Sequence, residues 1–109
     1  MKKSVNILLL IIWTIVIFVL TGLPGLESPK IKELPIDKLY HFLLFFVYGV
    51  FSIRLITGTF YFLFGILVVI AAEVQQLFIP GREFEVLDMI WGTIGLVSVF
   101  IIYSLTQKV

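Results

Sequence analysis

The amino-acid sequence predicts an all-α integral membrane protein, an antiparallel bundle of four transmembrane helices at about residues 5–23, 38–56, 59–79 and 86–105. Three observations predict it. First, 61% of the 109 residues are hydrophobic and the mean hydropathy is +1.16. Second, only 14% are charged, against roughly a quarter in soluble domains. A soluble domain of this length has no interior large enough for so much apolar surface, whereas lipid can cover it. Third, the polar residues fall mainly in short stretches that separate apolar runs of bilayer length. The chain therefore reads as a single domain over 1–109. A net charge of +1 offers no basic surface for nucleic acid. Cysteine is absent, so there is no disulfide, and one histidine, His41, excludes a multi-histidine metal site.

The first run follows a basic head, Lys2-Lys3, and carries no charge from Ser4 to Leu26. It is longer than a signal-peptide core, and no small-x-small cleavage site follows it, so a retained span is expected. Pro24-Gly25 breaks it. Glu27 to Lys38 is the main polar connector, of mixed charge, and Lys30, Lys32 and Glu33 read as solvated. Asp37 opens the second span as a cap or first-turn acid. From Leu39 to Ile56 the second run has 18 residues, about 27 Å as a helix, with Arg54 able to snorkel from its last turn. Thr57-Gly58-Thr59 is a tight turn. The third run, Thr59 to Ile79, is apolar until Glu73, Gln75 and Gln76, and Pro80-Gly81 ends it. Val86 to Leu105 forms the fourth, with Asp88 in its first turn.

Four spans put both termini on one side. Lys2, Lys3, Arg54 and Lys108 then share that side, and Lys30, Lys32, Lys38 and Arg82 share the other. The count is tied. The basic head before the first span and the very short loop at Arg54 favour cytoplasmic termini. On that topology Asp37, His41, Glu73, Gln76, Arg82 and Asp88 gather in the outer third of the bundle as candidate binding residues.

Helical spacing aligns them. Asp37 and His41 are i,i+4, with Tyr48 and Ser52 roughly along the same stripe. Glu73 and Gln76 are i,i+3, with Gly65 and Ala72 on nearby rows, and Asp88, Gly92 and Gly95 are i,i+4,i+7, with Ser98 a turn on. Small and polar stripes face a bundle interior and apolar remainders face lipid. Glu73 is the sharpest signal, an ionisable group inside an apolar run. His41 and Glu73 are the candidate catalytic residues, as an acid/base pair, with Arg82 to hold an anionic group. Asp37 and Asp88 also read as plain helix caps, and Gly92 and Gly95 as close-packing positions. His41 with Glu73, Asp37 and Asp88 contains zinc-ligand chemistry, but no His-Glu-x-x-His pair occurs, so no metal site is expected. There is no Gly-x-Ser-x-Gly and no phosphate-cradling glycine loop. No cofactor is expected.

In order, Asp37-Lys-Leu-Tyr-His41-Phe42, Glu73-Val-Gln-Gln76, Pro80-Gly-Arg82, and Asp88 before Gly95 resemble the VanZ-like family of small bacterial membrane proteins. The resemblance covers nearly the whole chain. Gly92 departs from it, standing where the family often has Asn, and Gln75 stands where many relatives have a second His. The family is named for a protein linked to low-level resistance to teicoplanin, a lipid-bearing glycopeptide. The resemblance implies a multi-pass protein of the bacterial cell membrane with an envelope role. Its expected partners are the lipid bilayer and an envelope lipid, glycan precursor or lipoglycopeptide. It implies lowered susceptibility to lipoglycopeptides through the outer polar cluster. The alternatives are an acid/base enzyme on a lipid-linked substrate and a non-catalytic scaffold subunit.

Overall fold

The computed structural model describes residues 3–22, 36–56, 58–79 and 86–107. They form four helices, α1 (Lys3–Gly22), α2 (Ile36–Ser52), α3 (Gly58–Gln76) and α4 (Val86–Gln107). All regular structure among the described residues is helical. Three helices are long and apolar enough to cross a membrane: Lys3–Gly22, Gly58–Gln76 and Val86–Thr106.

α2 is the exception. The apolar run from Leu39 to Ile56 predicts a helix to residue 56, but α2 stops at Ser52 after 17 residues, about 26 Å. The cause is local. Ile53 still donates to Gly49 at 2.8 Å, and the Ser52 carbonyl then takes two donors, Leu55 three residues on at 3.0 Å and Ile56 four residues on at 2.9 Å. The chain tightens into a turn and passes to Gly58, whose φ of +53° lies in the left-handed region. No neighbour crowds a side chain at Gly58, so the backbone angle alone favours glycine there. α3 closes in the same way, three residues before the expected Ile79. Leu77, Phe78 and Ile79 each donate to the carbonyl three residues earlier.

Helical period decides what is inside. On α2 the buried residues are His41, Leu44, Phe45, Tyr48, Gly49 and Ser52. On α3 they are Tyr61, Gly65, Val69, Ala72, Glu73 and Gln76. On α4 they are Asp88, Gly92, Gly95, Leu96 and Val99. Each set is one stripe of i, i+3, i+4 spacing. The outer faces stay apolar: Leu8, Ile15, Leu43, Phe60, Leu67, Trp91 and Ile101 are all exposed. Unbroken apolar surface on this scale marks contact with lipid or another apolar partner.

The most extensive pairing is α2 with α4, made possible by glycine. A Cβ at Gly95 would sit 2.6 Å from the Phe42 carbonyl oxygen and 2.9 Å from the Phe46 nitrogen, so the two backbones touch. α1 packs on α2 and α3, and makes no close backbone approach to α4 among the described residues. Polar side chains fix those contacts. The Trp13 indole donates to the Leu44 carbonyl at 2.8 Å, Gln75 to Phe18 at 3.1 Å, and Gln76 to Thr21 at 3.0 Å. Thr21 lies in the last turn of α1, where carbonyls have no partner within the helix. The C-terminal ends of α1 and α3 therefore meet. At the same end, Lys38 of α2 reaches Asp88 of α4.

Candidate functional site

The first turns of α2 and α4 and the last two turns of α3 converge on a group of ionisable side chains. α2 brings Lys38 and His41, i,i+3 on one face; α3 brings Glu73; α4 brings Asp88. His41 is 4% exposed, Glu73 1% and Asp88 5%, so three ionisable groups are withdrawn into the interior of the bundle. Burial of this kind is costly unless charge is matched.

The geometry shows how the group is arranged. Lys38 Nζ lies 2.7 Å from Asp88 Oδ1, a formed ion pair and hydrogen bond. The other oxygen, Asp88 Oδ2, lies 3.7 Å from His41 Nε2. Glu73 Oε1 lies 3.4 Å from the same nitrogen. One imidazole nitrogen thus faces two carboxylates from two other helices. Both separations exceed the 2.7–3.2 Å usual for a formed N–H···O bond. One ligand atom from each of the three residues lies within 4.8 Å of the other two. Two carboxylate charges that close repel by about 3–4 kcal/mol at an effective dielectric near 20. Lys38 offsets part of that through Asp88. A positive charge on the imidazole or a bound cation among the three atoms would offset more of it.

Of the residues predicted from sequence, His41, Glu73 and Asp88 come together. Gln76 lies one turn from Glu73, but its amide is directed to α1, where it donates to Thr21. Arg82 and the side chain of Asp37 lie outside the described residues. Tyr48 and Ser52 are buried on the α2 stripe as expected, at 4% and 0% exposure, below the cluster towards the other end. Ser98 is not part of the interior stripe; its hydroxyl donates back to Ile94 of its own helix at 2.8 Å. Lys38 was missed. It reads as the end of the polar connector, yet it lies inside α2, and its i,i+3 relation to His41 is the signal that would have found it.

The packing also accounts for Gly92 and Gln75. A Cβ at Gly92 would lie 2.8 Å from the Phe45 ring, which is 1% exposed. The ring fills the space that a larger polar side chain at 92 would need. Gln75 turns its amide nitrogen to Phe18, away from His41, and packs against Gly22.

No family model, no curated protein and no solved structure matches this chain.

Proposed function

We propose that this is a VanZ-like protein of the bacterial cell membrane, with four spans, cytoplasmic termini and its ionisable cluster towards the outer face. In that reading the cluster binds or modifies an envelope component and lowers susceptibility to lipoglycopeptides such as teicoplanin. One observation supports placing function at the cluster: three helices each send an ionisable side chain into a single buried group. Ionisable groups inside a membrane bundle mark functional positions by default, because their cost is otherwise avoidable. The resemblance of the motif order supplies the envelope context.

A second reading is a membrane enzyme in which His41 and Glu73 exchange a proton with a lipid-linked substrate. It is favoured by the 3.4 Å approach of His41 Nε2 to Glu73 Oε1, longer than a formed hydrogen bond but within the looser spacing of acid/base groups in a free enzyme. A scaffold subunit without a reaction is the third, and for it the cluster is only a packing device.

The test is a susceptibility assay in a sensitive host, comparing teicoplanin with vancomycin. The native chain, Glu73→Gln and His41→Gln are expressed at matched membrane levels. Teicoplanin-selective protection by the native chain, lost in both variants, is the expected result. Protection that survives in both variants would move function away from the cluster. Absence of protection by the native chain would remove the lipoglycopeptide reading.

A further inference from the structure

We propose that His41, Glu73 and Asp88 form a binding site for a single divalent transition-metal ion of the zinc type. No metal is expected from the sequence, because the ligands are one per helix and no short spacing announces them. The fold brings them together. A four-coordinate zinc ion holds nitrogen at 2.0–2.1 Å and carboxylate oxygen at 2.0–2.2 Å, so neighbouring ligand atoms lie about 3.4 Å apart. His41 Nε2 stands 3.4 Å from Glu73 Oε1 and 3.7 Å from Asp88 Oδ2. All three ligand atoms fall within 4.8 Å of one another. The two edges that meet at His41 Nε2 are within about 0.3 Å of a tetrahedral edge, and the Glu73–Asp88 edge closes on binding.

The donor set narrows the ion. One imidazole nitrogen with two carboxylates is a ligand combination used for zinc, and it leaves a fourth position open. Calcium and magnesium prefer six or more oxygens, which three side chains do not provide. The side chains of Lys38, Glu73 and Asp88 sum to −1, so a divalent ion with an anionic group such as hydroxide in its fourth position brings the cluster to neutrality, where unbalanced charge is costly. Asp88 is also held for the task. Its Oδ1 accepts from Lys38 at 2.7 Å, which turns Oδ2 towards His41. Orienting partners of this kind are a regular feature around metal ligands. The single histidine of the chain makes the site unique: any imidazole-ligated ion must use His41.

The inference stands on the geometry of the cluster, not on the envelope reading. It is tested on the purified full chain, without a histidine tag, stripped of metal in detergent and titrated with Co²⁺. The expected result is one equivalent bound per chain, with the strong visible bands of a four-coordinate ion, bleached by one equivalent of Zn²⁺. His41→Gln, Glu73→Gln and Asp88→Asn should each weaken binding by more than about 100-fold, beyond what loss of a supporting partner costs. Asn6→Ala, at the opposite end of the bundle, should bind as the native chain does. Helical content by circular dichroism, matched across the variants, separates lost ligands from lost fold. Failure of the native chain to take up one equivalent of Co²⁺ would overturn the proposal. Uptake unchanged in His41→Gln would overturn it equally. Neither result bears on the susceptibility assay, so the two readings fail separately.

Discussion

Glu73 and Gln76 are neighbours on one face of α3, and they have different tasks. Both are almost fully buried, at 1% and 2% exposure. Gln76 donates to an α1 carbonyl that its own helix leaves open. Interhelical hydrogen bonds of this type in membrane bundles average about 0.6 kcal/mol and reach about 1.7. Gln76→Leu should therefore lower stability by about 1 kcal/mol in a detergent unfolding titration and leave cluster function intact. Lys38 should matter more. It is 12% exposed and Asp88 7% at the side chain, so their ion pair is largely buried. Removing one partner of a buried pair leaves the other charge uncompensated, at a cost of about 3 kcal/mol. Lys38→Met should destabilise by about that amount in the same titration, and Lys38→Met with Asp88→Leu should recover most of it. Failure of the double variant to recover would mean that Asp88 has its main partner elsewhere in the cluster. Glu73 and Asp88 are legible in the sequence because acids inside apolar runs are conspicuous. Lys38 is not, because a lysine beside a polar connector looks solvated until the start of the helix is known.

At the scale of helices, the pairing of α2 with α4 depends on small residues. The obstacles around Gly95 are backbone atoms of α2, which cannot turn aside. Those around Gly65 are the methyl ends of Leu96, at 2.7 and 3.2 Å, which can rotate. Overpacking a close contact costs about 1–3 kcal/mol. Gly95→Ala should fall at or above the top of that range and Gly65→Ala at or below its bottom, measured as the difference in unfolding free energy. Equal effects would show that α2 and α4 can separate slightly without loss. The four helices themselves were legible from run length and from the Gly and Pro residues between them. The ends were less so, by about three to four residues at α2 and α3. An apolar residue such as Ile53 or Leu77 reads as helix whether it sits in the last turn or just beyond it. After Ser52 its carbonyl is shared by Leu55 and Ile56 in a closing turn, which composition does not encode.

For the whole molecule, the decisive issue is how many helices cross the bilayer and which end of the bundle faces out. α1, α3 and α4 meet the length and hydropathy of a span, while the apolar part of α2, Lys38–Ser52, is shorter. A bundle of four spans returns both termini to one side; three spans would put them on opposite sides. α2 packs along α4, through Gly92 and Gly95, from Lys38 and Asp88 at one end to Gly49 and Val99 further on. In the four-span reading we propose, α2 packed in this way follows α4 through the membrane, with exposed Arg54 beyond its short end snorkelling to water. The absence of cysteine makes the measurement clean. Single variants Glu33→Cys, Thr57→Cys, Glu83→Cys and Lys108→Cys are labelled in intact cells with a membrane-impermeant thiol reagent. Labelling of the Glu33 and Glu83 positions from outside, and of the Thr57 and Lys108 positions only after permeabilisation, is the predicted result. Labelling of the Lys108 position in intact cells, or protection of the Glu83 position, would contradict four spans with the cluster of His41, Glu73 and Asp88 at the outer face.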